Sequence, residues 1–65
     1  MSKINKRIGA QILAARLDSE LTQAALGKKL GVTVITVSRW ENGHAWPKPE
    51  HLEKLAKVLG LTFGL

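Results

Sequence analysis

With no cysteine and only two histidines in 65 residues, the chain can be stapled neither by disulfides nor by a four-ligand Cys/His zinc site. Its core must be closed by side-chain packing alone. So short a chain hides only about 60% of its unfolded surface, so a stability of a few kcal/mol, sensitive to single core changes, is expected. Hydrophobic residues at 45% and charged residues at 23% are globular proportions, far from those that keep a chain disordered. One domain spanning 1–65 is the most this length holds, and a cleft between separate substrate and cofactor domains does not fit in it.

Apolar spacing gives the elements. Ile8, Ile12 and Ala15, with Leu13 and Leu17, recur at helical intervals and predict a first helix over about 5–18, capped by Asn5 or Ser2. Thr22 opens a short helix to Leu30, with Gly31 as its left-handed end. Thr33 opens another, Val34 to Asn42, closed by Gly43. Its β-branched run from Val32 to Val37 favours a strand, but the flanking caps and the i, i+3 spacing of Val37 and Trp40 favour a helix held by its neighbours. After a loop stiffened by Pro47 and Pro49, the residues Leu52, Leu55, Ala56 and Leu59 repeat at i, i+3, i+4 and i+7 and end at Gly60. Thr62-Phe63-Gly64-Leu65 begins a possible fifth element. The expected fold is all-α, a bundle of four helices with a nascent fifth at its end.

Ten Lys and Arg against five Asp and Glu leave a net charge of +5, which suits a polyanionic partner, nucleic acid before anionic membrane. The basic start Lys3, Lys6, Arg7 resembles the head of a signal peptide, but Gln11 and Arg16 interrupt the apolar run that would follow. No stretch approaches 18 apolar residues, so no membrane span is expected and a cytoplasmic location is the default. The same three cations crowd the first turn of the first helix, where the dipole disfavours them and favours a bound anion.

The segment Gln23 to Asn42 holds a fixed pattern. Gly27 sits where two helices cross, Gly31 at the turn, and Leu26, Leu30, Val32, Val37 and Trp40 face inward to lock the pair. This closely resembles the helix-turn-helix of the lambda repressor and Cro (XRE-like) family. The resemblance extends over nearly the whole chain, to the preceding helix, the Glu41-Asn42-Gly43 exit and the helix ending at Gly60. The departure is Gly27, where the family mostly carries Ala; a glycine inside a helix costs about 1 kcal/mol and is expected to loosen the scaffold. A complete fifth helix, which in many relatives assists dimerisation, is missing.

The resemblance implies sequence-specific binding of double-stranded DNA by a transcriptional regulator, a repressor of phage or bacterial type. A recognition helix over about 34–42 would lie in the major groove. It implies base contacts from Thr33, Val34, Ile35, Ser38 and Arg39, and phosphate contacts from Gln23 and Thr36. Val37 and Trp40 already supply the inward face, so Val34 and Ile35 are left to face out, and thymine methyl groups are the natural partners for such side chains. The competing reading folds one of them back onto the core. Arg39 suits either guanine O6 and N7 or a phosphate, and Thr33 either a base or its own helix as N-cap. Gln23 lies beside the free N–H groups opening its helix, where a phosphate docks. Lys6, Arg7, Lys28, Lys29 and Lys48 are further candidates for phosphates or are simply solvated.

Arg16 and Glu41 correspond to a charged pair that ties helices together in the family. Trp46 is expected to pack over the core edge or to face a partner subunit. No cofactor or metal is expected: His44 and His51 lack companion ligands, and Gly27-Lys28-Lys29-Leu30-Gly31 is not a phosphate-binding loop. No nucleophile, base and acid share a spacing signature, so neither an enzyme nor a small-molecule substrate is expected. The alternative function is a protein-interaction module of the same fold, an antitoxin or adaptor. A palindromic operator would call for two copies, yet Phe63-Gly64-Leu65 is a thin dimer surface, so the chain reads either as a fragment of a longer repressor or as a weakly dimerising short protein.

Overall fold

The computed structural model describes residues 3–62, apart from the side chain of Ile4. Four helices follow one another: α1, Lys3–Asp18; α2, Gln23–Leu30; α3, Val34–Glu41; and α4, Pro49–Leu59. The possible fifth element falls on Phe63 to Leu65, outside the described residues.

Local chemistry sets the boundaries. The Thr22 hydroxyl accepts from the Ala25 amide at 3.0 Å and the Thr33 hydroxyl from the Thr36 amide at 3.2 Å, so both threonines cap as their positions suggested. Gly31 and Gly60 close α2 and α4 at φ 77° and 68°, in the left-handed region that favours glycine. The β-branched α3 is helical between its caps, ending one residue earlier than expected: Asn42 is its C-cap, and Gly43 follows it at φ 76°. As described, α1 runs from Lys3, so Asn5 lies inside it rather than capping it, and Ser2, the other cap candidate, lies outside the described residues. Nothing in Lys3-Ile4 competes with helical backbone. Its other end is a left-handed turn on a non-glycine, Glu20 at φ 57°, secured by Leu21 N–H donating to Arg16 O at 3.1 Å and Glu20 N–H to Leu17 O at 3.0 Å.

The core gathers Ile8 and Ile12 from α1, Leu26 and Leu30 from α2, Val37 and Trp40 from α3, and Leu55 from α4, flanked by half-buried Leu21, Val32, Ala45, Leu59 and Leu61. Leu13 and Leu17 do not join it; both are exposed. The expected stripe took in too wide an arc, since each residue advances about 100° around a helix, which leaves Leu13 and Leu17 well round from Ile8 and Ile12. Beneath the loop after α3, the side chain that fills the core is fully buried Pro47, while Trp46 is at the surface. Trp40 instead meets His51, ring centroids 5.3 Å apart and tilted by 47°.

Two glycines let backbones touch. A Cβ at Gly27 would lie 2.7 Å from Val32 O, so the turn between α2 and α3 closes onto α2 where a side chain would hold it away. Glycine there admits this close approach, as a small residue at the crossing should, and a Cβ would meet backbone that the propensity cost of glycine does not take into account. Gly9 is tighter still. Its Cβ would fall on Trp40 O and 2.7 Å from Glu41 O, so α1 rests directly on the last carbonyls of α3.

Candidate nucleic-acid interface

α3 has two unlike faces. Val37 and Trp40 are buried, whereas Val34 is 45% and Ile35 68% exposed. Neither folds back onto the core. Both stand in the first turn of α3, beside Thr33, and Arg39 is exposed one turn further on. With its side chains an α-helix is about 10–12 Å across, which fits a major groove about 12 Å wide, and the buried face of α3 ties it to the rest of the domain from behind.

The polar candidates differ in how free they are. The Thr33 hydroxyl is occupied by the Thr36 amide and lies 3.2 Å from the Thr36 hydroxyl, so it caps its own helix and the two hydroxyls share one hydrogen bond. Ser38 is half-buried; its carbonyl accepts from Asn42 Nδ2 at 2.8 Å and its hydroxyl from the same nitrogen at 3.3 Å. Gln23 is half-buried as well, and its Nε2 donates to Glu41 Oε1 at 2.9 Å. That engages one of its two amide hydrogens and fixes the start of α2 against the end of α3. Lys6, Arg7, Lys28, Lys29 and Lys48 are all exposed. Lys6 is placed by its stem: a Cβ at Gly43 would sit 3.0 Å from Lys6 Cγ, which puts that cation's root at the exit of α3.

The support beneath the interface is ionic. Arg16 Nε donates to Glu41 Oε2 at 2.6 Å and Arg16 Nη2 to Glu41 Oε1 at 3.1 Å, while Arg16 Nη1 donates to Leu21 O at 2.8 Å. The two side chains are only 10% and 4% exposed. The guanidinium is held above its ordinary pKa by the hydrogen bond to Glu41, against desolvation and with help from the carboxylate's charge. The family resemblance pointed to this pair. It did not point to Gln23 as its third member, nor to Gly9, whose only sequence signal is a glycine in the middle of an otherwise helical pattern. Among the described residues no group of three or more His, Cys, Asp or Glu is placed to hold a metal ion, and no helix is long and apolar enough to cross a membrane.

Known proteins share this arrangement. A family model described as helix-turn-helix matches residues 12–65. Repressor protein C2 of Salmonella phage P22 is 40% identical over 52 residues, 80% of this chain and 24% of that protein. The HTH-type transcriptional regulator DicA of Escherichia coli is 37% identical over 59 residues, 91% of this chain and 44% of its own length. Multiprotein-bridging factor 1c of Arabidopsis thaliana is 34% identical over 61 residues, 94% of this chain and 41% of that one. The chain thus spans less than half the length of these relatives. Among solved structures, the P22 c2 repressor in complex with a synthetic operator superposes with a TM-score of 0.81 at 38% identity, over 85% of this chain and 83% of that one. The motif, the four helices and these matches agree: the chain belongs to the helix-turn-helix family, in its lambda repressor and Cro branch.

Proposed function

We propose that this chain is the DNA-reading part of a transcriptional repressor, binding double-stranded DNA by α3 in the major groove, without catalysis or cofactor and in the cytoplasm. The observation that carries this is the outward pair Val34 and Ile35 on the first turn of α3. Two branched apolar side chains facing water contribute nothing to the core, yet they match the thymine C5-methyl groups on the groove floor. A relative of 38% identity was crystallised in complex with a synthetic operator, which supports duplex DNA as the partner. Arg39, one turn on, is assigned to guanine O6 and N7, and Ser38 to a neighbouring base. Thr33 serves α3 first as cap and reaches the duplex only beside it. Gln23, Thr36, Lys6, Arg7, Lys28 and Lys48 hold phosphates, and a palindromic operator would take two copies.

The test uses duplexes selected from a random pool by the wild-type chain. Ile35→Ala is expected to weaken binding by about 1–2 kcal/mol per half-site, roughly 5- to 30-fold, and thymine-to-uracil replacement beneath it by a similar amount. If the methyl contact is real, the double change costs little more than either alone. Fully additive losses would remove it. With Lys6, Arg7, Lys28, Lys29 and Lys48 neutralising about five phosphates per subunit, log affinity should fall against log salt with a slope near −4 to −5 per subunit; a flat dependence contradicts groove docking.

The similarity to a multiprotein-bridging factor favours a second reading, an adaptor whose main partner is a protein. Selection from random duplexes separates the two, because an adaptor returns no enriched sequence.

A further inference from the structure

α1 has two apolar faces and the fold uses one. Ile8 and Ile12 point into the core. Around the other side Ala10, Leu13, Ala14 and Leu17 recur at i, i+3, i+4 and i+7, the spacing of a packed helix stripe. All four are exposed, Leu13 at 37% and Leu17 at 59%. The ends of this stripe carry opposite charges. Lys3, Lys6 and Arg7 precede it, Asp18 and Glu20 follow it, and all five are exposed. Among the described residues the ion pair is Arg16 with Glu41, so none of the five is neutralised within its own chain.

We propose that this stripe is a docking surface for a second copy of the chain, α1 against α1 and antiparallel about a two-fold axis. Charge fixes both the partner and the direction. An antiparallel pair lays the basic end of each helix beside the acidic end of the other, twice by symmetry, whereas a parallel pair sets like charges together. Size agrees. In a register centred between Leu13 and Ala14, each small Ala10 lies beside Leu17 of the second copy, and the two Leu13 side chains meet near the axis. The alanines let the helices approach to the 8–10 Å of ordinary helix packing. Arg7 then faces Asp18 of the second copy.

In this register α1 overlaps its counterpart from Gly9 to Asp18, a seam of about three helical turns, well short of the roughly 800 Å² per partner of a standard interface. The pair is therefore weak, with a dissociation constant on the order of 0.1 mM. α1 meets α3 at its far end: Gly9, about 90° round α1 from the middle of the stripe, rests on the carbonyls of Trp40 and Glu41, whereas Val34 and Ile35 stand in the first turn of α3. The proposal does not depend on the DNA reading.

Sedimentation of the intact chain from micromolar to millimolar concentration tests it. The expected result is a concentration-dependent monomer–dimer equilibrium, weakened about tenfold or more by Leu17→Glu, at an exposed site where the melting curve should hardly move. Arg7→Glu and Asp18→Arg should each weaken pairing, and the two together should restore it. Because the chain has no cysteine, Leu13→Cys should cross-link to itself on oxidation much faster than Glu53→Cys on exposed α4. A wild-type chain that stays monomeric to millimolar concentration overturns the proposal, as would happen if the stripe served another protein. So does a dimer indifferent to Leu17→Glu, or a charge swap that fails to restore pairing.

Discussion

Gly9→Ala is expected to lower the melting temperature by roughly 10–20 °C, equivalent to about 2–3 kcal/mol in a domain of this size. The single added carbon falls on Trp40 O and 2.7 Å from Glu41 O. Neither oxygen can swing aside as a long side chain could, because both are backbone atoms at the end of α3. Relief requires α1 to lift off α3 and open the core between Ile8, Ile12 and Val37, and with backbone on both sides the overpacking should cost about 3–4 kcal/mol, at or above the top of the usual range. Alanine's better helix propensity returns about 1 kcal/mol, which is why the net is not larger. Gly31→Ala is the comparison: its Cβ meets nothing within 4 Å, so only the left-handed strain of about 1–2 kcal/mol remains. Thermal melts of both variants by circular dichroism decide the matter. A Gly9→Ala protein that melts like wild type contradicts the direct seating of α1 on α3.

Gly9 also marks where the sequence stops being legible. Signals that act within one turn could be read directly: threonine caps ahead of α2 and α3, glycines after α2, α3 and α4, and the proline that starts α4. These depend on hydrogen bonds between neighbours in sequence, so residue type and position suffice. The orientation of α1 was not readable in the same way, because that helix is apolar on both sides and periodicity alone does not say which side meets the core. Leu13 and Leu17 share the helical spacing of Ile8 and Ile12 and yet stay at the surface. Trp46 and Pro47 illustrate the same limit in a loop, where size argued for the tryptophan and geometry chose the proline. In the candidate site, the outward direction of Val34 and Ile35 was readable because Val37 and Trp40 had already claimed the inner face. The tie from Gln23 to Glu41 was not, since it joins residues 18 positions apart and carries no local pattern.

A still larger loss is expected from breaking the Arg16–Glu41 pair, and the two ways of breaking it should not be equal. Glu41 is the last residue of α3, the negative end of the helix dipole, where a carboxylate is disfavoured. Its side chain is 4% exposed. Arg16→Met removes the two guanidinium donors that hold it and leaves Gln23 Nε2 as its remaining side-chain donor. A loss of about 3–5 kcal/mol, typical of an uncompensated buried charge, would leave little of the domain folded. Glu41→Leu is milder, nearer 3 kcal/mol, because the guanidinium keeps Leu21 O and its long stem can carry the charge outward. The double variant should recover much of the loss, since two apolar side chains do not need each other's charge. Urea titrations with an unchanged slope report these differences as shifts of midpoint. Acidity gives a second check. A guanidinium whose pKa is raised by folding stabilises the protein at every pH below its ordinary value, and the contribution goes only in strong alkali. The arginine's share is therefore constant across neutral pH. If Arg16→Met proves milder than Glu41→Leu, the carboxylate is better solvated than its burial implies. The pair would then be a surface contact, rather than the strut that sets the angle of α3 against α1 and α2.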